Sequence, residues 1–134
     1  MSIPIVLGLL ILCLADIGAI TNEMKQMAQV LHDACVEETG VQERLIEECR
    51  KGVFSEDSNL KCYIKCLMTK VPLMTEDGDI DEDFIIKVMP AEFKEIAIPV
   101  VRACGTVKGA DHCETAFLTN KCWHSKSPEH YYLV

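Results

Sequence analysis

Cys62-Tyr63-Ile64-Lys65-Cys66 sets two cysteines four residues apart in a segment whose apolar residues, Leu60, Tyr63, Ile64, Leu67 and Met68, recur at helical spacing. On a helix, positions i and i+4 share a face and their side chains point in parallel, so these two sulfurs are poorly placed to bridge each other. Each must reach a different helix. The surrounding cysteines offer partners, in the order Cys35-x26-Cys62-x3-Cys66-x37-Cys104-x8-Cys113-x8-Cys122. In a chain of 134 residues this pattern predicts a small helical domain cross-braced by disulfides.

Outward from that segment the chain reads as helices. Ser55 or Ser58 offers a cap for the cysteine-bearing helix, which runs to about Lys70 before Pro72 closes it. Upstream, Met24, Met27, Ala28, Leu31 and Cys35 form the stripe of an amphipathic helix that Gly40 stops, and Val41, Leu45, Ile46 and Cys49 mark a shorter one ended by Lys51-Gly52. Downstream, residues 75–83 (TEDGDIDED) read as a solvated acidic turn, followed by a short helix through Phe84, Ile85, Val88 and Met89. Pro90 suits the first turn of a fifth helix with Phe93, Ile96, Ala97, Val100, Val101 and Cys104 inward, and Pro99 is expected to kink it. After Gly109 a sixth helix carries Cys113, Ala116, Phe117, Leu118 and Cys122, and residues 127–134 leave it as an apolar tail. No strand alternation competes, so the expected class is all-α, a bundle of about six helices.

Disulfides require an oxidising compartment, and the N-terminus supplies the route. Ile3 to Ala15 is an apolar run of 13 residues, too short to span a bilayer and suited to the core of a secretory signal, with small residues for cleavage after Ala15 or Ala19. Its n-region lacks Lys and Arg. We therefore expect a signal peptide over residues 1–19, a helical domain over 20–134, and an extracellular protein with no membrane segment after cleavage. Cleavage removes Cys13 and leaves seven of the eight cysteines, an odd number.

The formal net charge of −8 and the lack of a basic patch argue against nucleic acid or anionic membrane surfaces as partners. His32-Asp33-Ala34-Cys35 lacks the preceding cysteine pair and the glycine-rich calcium loop of a secreted phospholipase. Asp77-Gly78-Asp79-Ile80-Asp81 begins like a calcium loop but has Glu82 in place of the turn glycine and Val88 in place of the bidentate Glu. Cys62-x3-Cys66 is better explained by oxidation than by zinc. No Asn-x-Ser/Thr sequon occurs. No enzyme activity, cofactor or metal is expected.

The cysteine order, the six-helix pattern behind a leader, and the local segment Cys62-Tyr63-Ile64-Lys65-Cys66 together resemble the insect odorant-binding and pheromone-binding proteins. The resemblance covers nearly the whole mature chain, from about residue 21 to Cys122. It implies the pairs Cys35–Cys66, Cys62–Cys113 and Cys104–Cys122, and an apolar cavity for a small ligand. Cys49 departs from the family pattern as a seventh thiol on the apolar stripe of the second helix, where a buried small hydrophobe is the simplest account and an intermolecular bridge or a reactive thiol is the alternative. Ile64 stands where some relatives carry a hydroxyl, against specific recognition of small alcohols.

A braced shell tolerates a hollow. A void of about 300 Å³ among helices costs on the order of 7 kcal/mol at the slope measured for engineered cavities, and three disulfides at roughly 2–4 kcal/mol each are comparable in sum. Burial of a ten-carbon chain yields roughly 8 kcal/mol gross, of which association consumes about 4 or more, so micromolar affinity is expected. Candidate lining residues are Met68, Met74, Phe84, Ile85, Val88 and Met89 from the middle of the chain. Phe93, Ile96, Val100, Phe117, Leu118 and Trp123 join them from the last two helices. Ordinary core packing is the alternative for each. Tyr131 and Tyr132 are added as residues of a tail that closes the cavity as a lid, with a frayed terminus as the alternative. His124 and His130 flank that tail while His32 and His112 lie on helices; ordinary solvated histidines are the simpler reading, and a lid that loosens on histidine protonation is the alternative.

The function expected is a secreted carrier that takes small hydrophobic odorants or pheromones through aqueous lymph to a membrane olfactory receptor, as a monomer or weak homodimer. The alternatives are a non-olfactory carrier of another hydrophobic ligand and a secreted disulfide-rich venom or defence protein.

Overall fold

A computed structural model of the chain describes residues 22–134, and the leader expected at residues 1–19 lies outside the described residues. Six helices follow in order: α1 (Asn22–Thr39), α2 (Glu43–Arg50), α3 (Ser58–Lys70), α4 (Glu82–Val88), α5 (Ala91–Cys104) and α6 (His112–Lys126). Among the described residues there is no strand, only an isolated antiparallel bridge between Met74 and Ile80.

Helix α1 turns Met24, Leu31 and Cys35 inward, with Met27 and Ala28 at the edge of the core. Gly40 ends it at φ +71°, a left-handed conformation that costs glycine little, and its N–H reaches Val36 O at 2.8 Å. Helix α2 buries Leu45, Ile46 and Cys49. Gly52 follows at φ +96°, a backbone conformation that favours glycine, and a Cβ there would lie 2.9 Å from the far end of the His124 side chain.

The cap of α3 is Asp57, not Ser55 or Ser58: its carboxylate accepts from Leu60 N at 3.0 Å, and Ser58 is already the first helical residue. The acidic stretch over residues 75–83 divides in two. Gly78 N donates to Thr75 O at 2.9 Å and Thr75 N to Asp79 O at 2.8 Å, which closes a tight turn. Asp81 then caps α4 through Phe84 N, leaving Glu82 and Asp83 in its first turn, where carboxylates favour the positive end of the helix. Pro90 also sits one place earlier than expected. At φ −57° and ψ 142° it is the N-cap of α5, since its ring fixes φ while its ψ remains extended. The helix continues past Pro99, whose side is exposed.

Helix α3 is the axis of the bundle. It packs most extensively against α6 and next against α1, while α5 lies on α6 and α4 on α5. The disulfides follow the same path. Cys35–Cys66 ties α1 to α3, Cys62–Cys113 ties α3 to α6, and Cys104–Cys122 ties α6 to α5, the three pairs that the resemblance implies. Cys62 and Cys66 do reach different helices, as their parallel directions require.

Candidate functional site

Beyond α6 the chain turns back into the molecule. Ser127 N donates to Trp123 O, and the N–H groups of His130 and Tyr131 both donate to Ser127 O, each at 3.1 Å. This turn redirects residues 128–134 toward the bundle, where Tyr131, Leu133 and Val134 are buried and Tyr132 is half-buried. Burial of such side chains contributes roughly 1.5–3 kcal/mol each.

Polar groups fix the position of the tail. Tyr131 OH donates to Asn120 Oδ1 at 3.1 Å, and Asn120 Nδ2 in turn donates to Ala116 O at 2.9 Å. Arg50 Nε donates to Leu133 O at 2.6 Å while its guanidinium stands 4.9 Å from the centre of the Tyr132 ring. From α3, the hydroxyl of the fully buried Tyr63 donates to Val134 O at 2.5 Å. The same hydroxyl lies 2.9 Å from His32 Nδ1, and His32 Nε2 lies 2.9 Å from both carboxylate oxygens of Glu43. A hydrogen-bonded chain thus runs from Glu43 through His32 and Tyr63 to the Val134 carbonyl.

Cys49 faces the same tail. Burial pushes its thiol up to about 12, against smaller opposing effects from a hydrogen bond with Tyr131 and the charge of Arg50. A thiol that holds its proton so firmly is a poor nucleophile and packs as a small hydrophobe.

The residues proposed to meet a ligand gather mainly in one apolar cluster. Met68, Met74, Ile85 and Met89 belong to it with Phe93, Val100, Phe117, Trp123 and Tyr131, and half-buried Phe84 and Leu118 pack against it. Ile96 and Tyr132 are half-buried and stand outside that cluster. The side chain of Val88 lies outside the described residues.

Several residues that matter to the tail went unread in the sequence. Glu43 and Arg50 look like ordinary charges of a short helix, and Phe54 like a loop residue, yet Phe54 meets the rings of Phe117, His124 and Tyr131 at 5.6–5.8 Å. Asn120 carried a usable signal. It falls four residues after Ala116 and three after Phe117, a polar side chain on a buried face, and such groups need partners.

A separate depression of about 300 Å³ opens near the start of α4, lined by Thr75, Ile80, Asp81, Glu82, Asp83 and Arg102. Arg102 bridges Glu82 at 3.0 Å and Asp83 at 2.8 Å, and the Asp81 carboxylate accepts from Phe84 N, so the charged groups of this hollow are engaged. No group of three His, Cys, Asp or Glu side chains among the described residues is set to hold a metal ion. None of the described helices is long and apolar enough to cross a membrane.

Six helices, three linked disulfides and an apolar interior closed by a tucked tail define the class of small helical carriers of hydrophobic ligands. The chain belongs to the PBP/GOBP family, whose model matches residues 18–126. It is similar to general odorant-binding protein 19d of Drosophila melanogaster, 30% identical over 129 residues that cover 90% of this chain and 86% of that one. It is also 29% identical to general odorant-binding protein 69a of the same fly over 90 residues, 66% of this chain and 61% of the relative's length. Among solved structures, odorant-binding protein 7 of Anopheles gambiae, with four disulfide bridges and in complex with an azo compound, superposes with a TM-score of 0.75 at 32% identity, covering 82% of this chain and 90% of that one.

Proposed function

We propose that this protein is a secreted carrier that takes a small hydrophobic semiochemical, an odorant or pheromone, through aqueous lymph to a membrane receptor. The observation that carries the reading is the apolar cluster to which all six helices contribute, with Tyr131, Leu133 and Val134 of the tail buried in it. Three methionines and three phenylalanines stand in the candidate lining, and such side chains adapt to ligands of varied shape. The frame around them is fixed by sulfur, so the interior opens without the bundle coming apart. The azo compound bound by the Anopheles relative supports the same use of the fold. The leader expected at residues 1–19 and the oxidised cysteines support secretion.

In this reading residues 128–134 act as a lid. Ligand entry and release require the bonds from Tyr63, Arg50 and Asn120 to yield while the disulfides stay closed. The hydrogen-bonded chain from Glu43 through His32 and Tyr63 to Val134 ties the lid to α1, α2 and α3.

Displacement of a fluorescent apolar dye by volatile ligands tests the carrier reading. We expect dye binding and displacement in the micromolar range. A protein that takes up neither dye nor volatiles would instead act by contact.

A further inference from the structure

Trp123 sits near the end of α6 with 4% of its surface exposed, inside the apolar cluster. Its indole nitrogen, Nε1, is buried and has no hydrogen-bond partner among the described residues. The other polar side chains of this interior are engaged. Tyr63 and Tyr131 hold the tail and its seat, Asn120 bridges Tyr131 to Ala116, and the hydroxyls of Thr115 and Thr119 accept from Gly109 N and Val107 N. A buried donor stripped of water and left unpaired is uncommon in folded proteins, because nothing offsets its lost hydration.

We propose that Trp123 Nε1 is the polar anchor for the cargo, donating to a neutral oxygen acceptor, such as a ketone, aldehyde or ester carbonyl, on an otherwise apolar molecule. The inference deepens the carrier reading and rests on it. An indole N–H donates and never accepts, so it selects for acceptors. A pure hydrocarbon leaves it unpaired, and an ammonium offers no lone pair. A carboxylate would surrender its hydration for one uncharged donor among apolar side chains, which does not compensate an ion. What remains is an uncharged acceptor on an apolar chain.

The test compares an undecanone, undecane and undecanoate as competitors for a bound apolar dye, in the full protein and in Trp123→Phe, with nitrogen–proton spectra of the indole recorded alongside. The undecanone-to-undecane affinity ratio is expected to fall about fivefold to tenfold in Trp123→Phe, the loss of one buried hydrogen bond. The indole proton should move downfield with the undecanone and stay put with undecane, a readout on the native protein that decides the matter even if the variant does not fold. An unchanged ratio with a static indole signal would overturn the anchor while leaving the carrier reading intact. Tighter binding of undecanoate than of the undecanone would overturn the neutral acceptor. If no competitor displaces the dye, both fall.

Discussion

Between Cys35 and Cys122 the chain is held by sulfur, whereas past Ser127 it is held by hydroxyls, carbonyls and one guanidinium. The contrast divides the molecule by how easily each part is undone. Disulfides link α1, α3, α6 and α5 in series, and breaking any of them needs a reductant. The tail and α2 hold one another without a covalent tie, through Arg50 and Leu133 and through Cys49 and Tyr131. A carrier needs both kinds of holding, one to keep the interior and one to open it.

The largest effect should come from cutting the frame. Replacing both partners of the central staple, Cys62→Ala with Cys113→Ala, should cost about 2–5 kcal/mol and lower the thermal midpoint sharply, because this pair joins α3 to α6 at the axis of the bundle. Thermal unfolding followed by circular dichroism measures it. A midpoint within a degree or two of the native protein would mean that the staple does not hold the frame.

Tyr63→Phe should act chiefly on the tail. It removes the donor to Val134 O and the hydroxyl partner of His32 Nδ1, a loss of about 1–3 kcal/mol. Hydrogen exchange should then quicken at residues 128–134 while amides of α3 and α6 stay protected. Equal quickening throughout would show that tail and frame unfold as one unit.

The smallest effect on the fold, yet a sharp one on reactivity, concerns Cys49. With its thiol pushed up to about 12 by burial, the native protein should resist iodoacetamide at neutral pH and react once denaturant exposes it. Prompt native alkylation would place α2 and the tail apart for much of the time.

The frame was legible because its signals are periodic and chemical at once. Cys62 and Cys66 lie on one helical face and must diverge, and every helix announced itself by an apolar stripe such as Met24, Leu31 and Cys35. The misreadings fell at caps. Asp57 and Asp81 were equal in kind to the serines and acidic residues around them, and only backbone geometry decides which carboxylate faces a free N–H. The tail was legible as an apolar segment, but not its seat. Its partners are scattered from His32 to Asn120, and contacts that span up to 83 positions in sequence, as from Arg50 to Leu133, leave no local pattern. Ile96 shows the converse: it lies on the apolar stripe of α5, yet it is only half-buried and outside the central cluster, because a helix packed against two neighbours leaves part of its stripe at the rim.

The central claim is that residues 128–134 close a ligand-binding interior that the stapled frame maintains. The direct measurement is the dissociation rate of a bound fluorescent apolar ligand from the full chain and from the chain lacking residues 128–134, with circular dichroism to confirm that the helices persist. The account predicts release faster by about tenfold or more in the shortened chain, since apolar contacts of the tail are lost while the frame remains. Equal rates from the two proteins would contradict it.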